Sequence, residues 1–204
     1  MTVSRRHFLR AGAVAGVAAI SSRPLLAQAV APLVPQIDPR LRAKALLALA
    51  ANRNRIPLHD VIGIADFNRA SREPRFFIMD LRSGMVTAHL CAHGRGSDPA
   101  HSGWLAHFSN EFGSEATSSG AYLTGDAYFG KYGHSMRLTG LDYSNNNADA
   151  RAIVVHSAPY AEPSMVETFG KLGRSEGCFA LPGISHAEAM TRLGSGRLLY
   201  ADKV

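Results

Sequence analysis

The chain has 204 residues, 46% of them apolar and 19% charged, with a formal net charge of +6. That composition supports a folded core and excludes a generally disordered chain, and the length fits one compact domain with an appendage. Residues 1–29 hold Arg5, Arg6, Arg10 and Arg23 and no acid; beyond them 18 basic residues face 16 acidic ones, so no nucleic-acid partner is expected.

The first element in chain order is a leader. Ser4-Arg5-Arg6-His7-Phe8-Leu9 is a twin-arginine pattern, followed by an apolar run from Ala11 to Ile20 and a small-x-small site at Ala27-Gln28-Ala29. The run is about half of the ~20 residues needed to span a bilayer, so residues 1–29 read as a signal peptide and not as an anchor. An ordinary secretory signal with adjacent arginines is the alternative. Either route exports the mature chain from a bacterial cytoplasm, to the periplasm by the twin-arginine reading, with no stable membrane insertion after cleavage.

Residues 30–60 read as a linker and an N-terminal helix. Asp38 caps the helix, Pro39 opens it, Leu41, Ala45 and Leu49 recur at helical spacing, and Pro57 ends it. From residue 61 to 204 the pattern is that of one mostly β domain. Val61–Phe67 and Phe76–Leu81 are strand-like, and Arg82-Ser83-Gly84 turns the chain into Met85–Cys91 as a hairpin. Residues 98–120 form a long polar loop whose histidines match no metal-ligand spacing. Gly120–Phe129 and Lys131–Leu141 are two further strands, and Arg151–His156 is a buried one. Pro163–Leu172 suits a short helix, Ser185-x-x-Glu188 is a capping box for another, and Arg197–Tyr200 closes the chain as a strand.

Two stretches carry chemistry. One is Gly173-Arg174-Ser175-Glu176-Gly177-Cys178; the other is the apolar run that stops at His156-Ser157, 22 residues before the cysteine. A thiol needs a base to become a thiolate nucleophile, and a histidine fixed at a strand end is a suitable one. Cys91 and Cys178 are the only cysteines, too few for a disulfide framework or a cysteine metal site. A single Cys91–Cys178 bridge stays open.

The constellation His156-Ser157 followed by Ser175-x-Gly177-Cys178 resembles the L,D-transpeptidase (YkuD-type) catalytic domain, in its divergent murein branch. Phe77–Leu81, His93–Ser97, Phe108–Asn110, Gly130–Ser135, Gly140-Leu141 and Arg151–His156 resemble it too, in the same order. The resemblance implies a β-rich α+β fold, a β-sandwich of short strands with a few peripheral helices. It implies a periplasmic enzyme that needs no cofactor and no metal. Its substrate would be peptidoglycan tetrapeptide stems, its intermediate a thioester, its product a 3→3 cross-link, and it would be acylated by carbapenems. Cys178 would be the nucleophile, His156 the base, Ser157 the group that orients it, and Gly177 the residue that clears the approach of the carbonyl. Arg174, Ser175, His134 and Tyr160 would meet substrate. Glu176 departs from the common motif, which has a histidine there; an inward carboxylate would oppose thiolate formation. The alternatives are an L,D-carboxypeptidase, an enzyme that attaches or releases wall proteins, a non-catalytic wall-binding module, and a Cys91–Cys178 redox or structural protein.

Overall fold

The computed structural model describes residues 36–204; the leader and the start of the linker lie outside them. The first element is helix α1, Pro39–Ala51. The Asp38 carboxylate accepts the N–H groups of Arg40 and Leu41, at 2.8 and 3.4 Å, as the sequence predicts for a cap. The helix stops before Pro57, because Asn52 leaves helical geometry and both its amides bond back to the Ala48 carbonyl at 3.0 Å.

Eight strands follow: β1 (Val61–Asp66), β2 (Phe76–Asp80), β3 (Val86–His89), β4 (Gly120–Gly130), β5 (Gly133–Gly140), β6 (Val154–Ser157), β7 (Phe179–Leu181) and β8 (Leu198–Asp202). Helix α2 spans Pro163–Phe169 and helix α3 spans Gly183–Arg192. The strands form a single sheet in the order β3-β2-β1-β8-β4-β5-β6-β7. Only β1–β8 and β6–β7 are parallel. The predicted β2–β3 hairpin is present, with Phe76 opposite His89.

The sheet folds back so that its edges meet: Ala92 bridges Ala180 and Gly94 bridges Ser175. That closure makes the expected sandwich out of one sheet, and a bulge between Thr124 and Ala127 bends β4 on the way. The inner core holds Phe67, Phe76, Ile78, Tyr122, Val155 and Phe179. The opposite face of β1 and β2 presents Ile62, Ile64, Phe77 and Met79 to Leu41, Ala45 and Leu49 of α1. Both faces of β1 are therefore covered, which is why Val61–Ala65 is an unbroken apolar run.

Two expectations are corrected. The capping box at Ser185 is not used: α3 begins earlier, after Pro182, and its first N–H, on Gly183, donates to the Glu162 carboxylate at 2.7 Å. The cap is supplied by a distant residue, which local spacing cannot reveal. The buried strand begins at Val154 rather than Arg151, because Ala152 sits in the left-handed region at φ 53°.

The parallel pairing of β1 with β8 is clamped at its start. Arg197 donates to both oxygens of Asp60, at 2.8 and 3.0 Å. Those bonds hold the Asp60 carboxyl down to about 2. A depressed carboxyl contributes stability above its unfolded value near 3.8 and loses it as the pH falls toward 2. Asp60→Asn is expected to lower stability at pH 7 by about 1–3 kcal/mol, with the difference from the parent chain closing between pH 4 and pH 2. Thermal unfolding of both proteins across that range checks it.

Candidate active site

Cys178 lies at the turn that leads into β7. The turn is held by one hydroxyl: Ser175 Oγ accepts the Gly177 N–H at 3.2 Å and donates to the Cys178 carbonyl at 2.7 Å. Gly177 has φ 115°, a conformation that favours glycine, and a Cβ there would lie 2.6 Å from Ile153 Cδ1 and 2.9 Å from the Ala116 carbonyl. The turn is also tied to the opposite sheet edge, by Ser175 N–H to the His93 carbonyl (2.9 Å) and Arg95 N–H to the Ser175 carbonyl (2.8 Å).

That opposite edge is rigid in turn. The fully buried Arg75 donates to the Cys91 carbonyl at 2.8 Å and to His93 Nδ1 at 2.7 Å. Burial, reinforced by the Arg75 charge, lowers His93 to about 3, so its ring is neutral and Nδ1 can accept. Nε2 of the same ring lies 3.4 Å from Asp98.

His156 sits on β6 and pairs in register with Ala180 of β7. Side chains two apart on an extended chain share a face, so the face that carries His156 is the one Cys178 meets as it enters β7. His156 Nδ1 lies 2.9 Å from the Ser157 carbonyl. A carbonyl only accepts, so Nδ1 carries the proton and Nε2 keeps its lone pair. Burial lowers the imidazole below its usual range, and the bond to Ser157 opposes that shift. Ser157 thus orients the ring through its backbone.

Burial pushes the Cys178 thiol up to about 11; the Val154 amide works against this and the Glu176 charge adds to it. The thiol donates to the Ala152 carbonyl at 3.6 Å and, among the described residues, makes no hydrogen bond to His156. The two cysteines are not joined; Cys91 is wholly buried, and burial pushes it up to about 12.

A cavity of about 150 Å³ opens at His156, lined by Arg95, Lys131, Tyr132, His156, Tyr160, Arg174, Ser175 and Glu176; Cys178, Gly177 and Ser157 are not part of its lining. It brings together four of the residues singled out in the sequence: His156, Tyr160, Arg174 and Ser175. Arg174 is anchored to the carbonyls of Asp98 and Pro99. His134 lies outside the lining. It neighbours Ser135, which pairs with His156, so alternation turns it to the other face of β5; it stacks on Phe129 and meets His186 edge-on. Among the described residues no group of three or more His, Cys, Asp or Glu side chains is placed to hold a metal.

Tyr132 lies within the Gly130–Ser135 stretch that carries the resemblance, but the sequence assigns it no role. It stands at the tip of the β4–β5 hairpin, stacked on the His156 ring at 4.6 Å between centroids, and its hydroxyl donates to Glu176 at 3.0 Å. Glu176 faces outward, 3.6 Å from Arg95 and 3.9 Å from Lys131. The hairpin tip therefore covers the His156 ring, and Cys178 is 4% exposed. The Gly130-Lys-Tyr-Gly133 turn was the available signal, but nothing local says where such a tip lands. Tyr132→Ala is expected to speed alkylation of Cys178 several-fold without lowering thermal stability by more than about 1 kcal/mol. Rates with a small haloacetamide, read by intact mass, check it. Gly177→Ala is expected to cost about 2–4 kcal/mol by strain and overpacking, which a melting curve reads.

A family model described as the L,D-transpeptidase catalytic domain matches residues 34–201. Among solved structures, an L,D-transpeptidase from Mycobacterium smegmatis is 16% identical, with 70% of this chain and 58% of that chain covered and a TM-score of 0.42. L,D-transpeptidase 3 from Mycobacterium tuberculosis, in complex with a faropenem-derived adduct, is 15% identical, with 70% and 60% covered and a TM-score of 0.46. The helical cell shape determining protein Pgp2 from Campylobacter jejuni is 14% identical, with 70% and 47% covered and a TM-score of 0.43. The matched region spans less than two thirds of each of these structures. No curated protein matches the sequence. With residues 34–201 matched from end to end of the β domain, the chain belongs to the L,D-transpeptidase catalytic-domain family.

Proposed function

We propose that the protein is a cysteine-dependent murein L,D-transpeptidase that works on peptidoglycan tetrapeptide stems outside the cytoplasm. The observation that carries this reading is the pairing of a clasped Cys178 turn with a neighbouring His156 whose free Nε2 is fixed by the Ser157 carbonyl. The twin-arginine leader supports export, and no helix among the described residues is long and apolar enough to cross a membrane.

In this scheme a stem peptide displaces the Tyr132 ring, and the Cys178 side chain rotates from the Ala152 carbonyl toward His156. Nε2 takes the thiol proton, and sulfur attacks the carbonyl between the L-centre of the diamino acid and D-Ala. The oxyanion is met by the Cys178 N–H, a contribution typically of about 3–4 kcal/mol per donor. The Gly177 N–H is held by Ser175, so the clasp sets the turn's shape and does not itself bind the oxyanion. The C–N bond breaks, the imidazolium protonates the departing D-Ala amine, and a thioester remains. The amine of a second stem gives a proton to His156, attacks the thioester and frees the thiol, leaving a 3→3 cross-link. Water in place of the amine yields a tripeptide and makes the same site a carboxypeptidase. Arg174 and Tyr160 line the approach and are assigned to the stem, Arg174 to its carboxylates.

The test is incubation with a disaccharide-tetrapeptide, read by mass spectrometry beside Cys178→Ala and His156→Ala. A cross-linked dimer that has lost one D-Ala is expected, with the Cys178 variant inactive and the His156 variant slowed at least a hundredfold. Tripeptide monomer alone would replace transpeptidation by hydrolysis. Turnover that survives in Cys178→Ala would overturn the mechanism.

A further inference from the structure

Apart from that cavity, a second cleft of about 430 Å³ lies between residues 108–119 and 143–147. Its lining is Phe108, Ser109, Asn110, Glu111, Ser119, Tyr143, Ser144, Asn146 and Asn147. No lysine or arginine is among them. The stem reaction uses none of these residues.

The two walls are stapled to each other. Asn110 Nδ2 donates to the Tyr143 carbonyl (3.1 Å) and to Asn146 Oδ1 (2.7 Å), and Asn147 Nδ2 donates back to the Asn110 carbonyl (3.0 Å). Ser144 Oγ donates to the Ser119 carbonyl at 2.8 Å. The cleft is thus pre-formed, which lowers the ordering cost of binding. Polar capacity is left over: among the described residues, the Glu111 carboxylate, the Asn146 Nδ2 group and the Tyr143 hydroxyl make no hydrogen bond. The Tyr143 ring stands at the rim, 91% exposed.

Arg151 ties this cleft to the thiol. It donates to the Ser109 carbonyl (2.9 Å) and to the Ala116 carbonyl (2.6 Å). The next residue, Ala152, accepts from Cys178, and the Ala116 carbonyl packs on Gly177. One short segment therefore separates the cleft from the nucleophile.

We propose that this cleft binds the glycan of the wall polymer, through an uncharged N-acetylated amino sugar set against Tyr143 and the amide-lined walls. A ligand rich in hydroxyl and amide groups matches side-chain amides, which both donate and accept, and serine hydroxyls. The apolar face of a sugar ring covers an exposed aromatic ring, while hydroxyls reach the polar rim. A stem peptide is the poorer fit, because its carboxylates would find no lysine or arginine in the lining, with the bordering Arg151 already committed to Ser109, Ser114, Ala116 and Ser118, and would face Glu111. The inference rests on the proposed reaction for its biological sense, since sugar and stem are joined in one polymer, and its test is independent of turnover.

The probe is the β-1,4 tetramer of N-acetylglucosamine, titrated into the full chain and into Cys178→Ala by calorimetry. Saturable binding to both is expected, weakened at least tenfold in Tyr143→Ala and, as a second variant, in Asn146→Asp, with melting temperatures within 2–3 °C of the parent. Failure of the tetramer to bind, equal binding to Tyr143→Ala and Asn146→Asp, or displacement of the tetramer by a sugar-free tetrapeptide would each overturn the proposal. Tyr143-dependent binding with no turnover of disaccharide-tetrapeptide would uphold the cleft and reject the reaction. Turnover with no tetramer binding would reject the cleft alone.

Discussion

The Ser175 hydroxyl, bonded at once to the Gly177 N–H and the Cys178 carbonyl, is the interaction on which the site depends. It closes a turn that only glycine enters comfortably, since Gly177 combines a positive φ with contacts that leave no room for a Cβ. The turn is not free-standing. It is fixed where the folded sheet brings its two edges together, and the facing edge is itself immobilised by the buried Arg75 and His93. Sheet closure thus serves both the core and the placement of the sulfur. Arg75, far from Cys178 in sequence, is thus joined to the cysteine turn by a chain of bonds through His93 and Ser175.

The electrostatics set the chemical problem. A thiol held near 11 by burial is almost wholly protonated at neutral pH, and the outward Glu176 adds to the shift instead of relieving it. No cation beside the sulfur offsets this enough to make a standing thiolate. The proposed reaction would therefore depend on proton transfer within the complex, a task that suits His156: buried, with its pKa lowered by that burial, and held in one tautomer by Ser157. Tyr132 stacks on the His156 ring and shields it from water; in the proposed reaction a ligand would displace it, and a dry site strengthens every dipole within it.

How much of this the amino-acid string announces differs by element. Helix α1 is legible from Asp38-Pro39 and its Leu41, Ala45, Leu49 stripe, because its cap and its buried face are local. The β2–β3 hairpin is legible for the same reason, and the Cys178 and His156 stretches stand out because their residue types are unusual together. What is missed is what arrives from elsewhere in the chain. Glu162 caps α3 in place of Ser185, Tyr132 lands on His156, and Arg75 reaches His93, each by a contact that no spacing rule encodes. His134 is a different case: its neighbour Ser135 pairs with His156, and the two-residue alternation of a strand then turns His134 away from the cavity. The polar loop around residues 98–120 carries no periodic pattern, so its share in a second cleft emerges only when Asn110 is seen bonded to Tyr143 and Asn146.

The central claim is that His156, and not a standing thiolate, activates Cys178. The pH dependence of carbapenem acylation at Cys178, followed by intact mass in the parent chain and in His156→Ala, tests it most directly. A neutral base with a pKa lowered by burial predicts a rate that rises to a plateau on an acid limb below pH 6.5. In His156→Ala the plateau should vanish and the rate should climb about tenfold per pH unit toward the thiol's own value near 11. A parent chain that follows this same steep climb, with no plateau, would contradict the account.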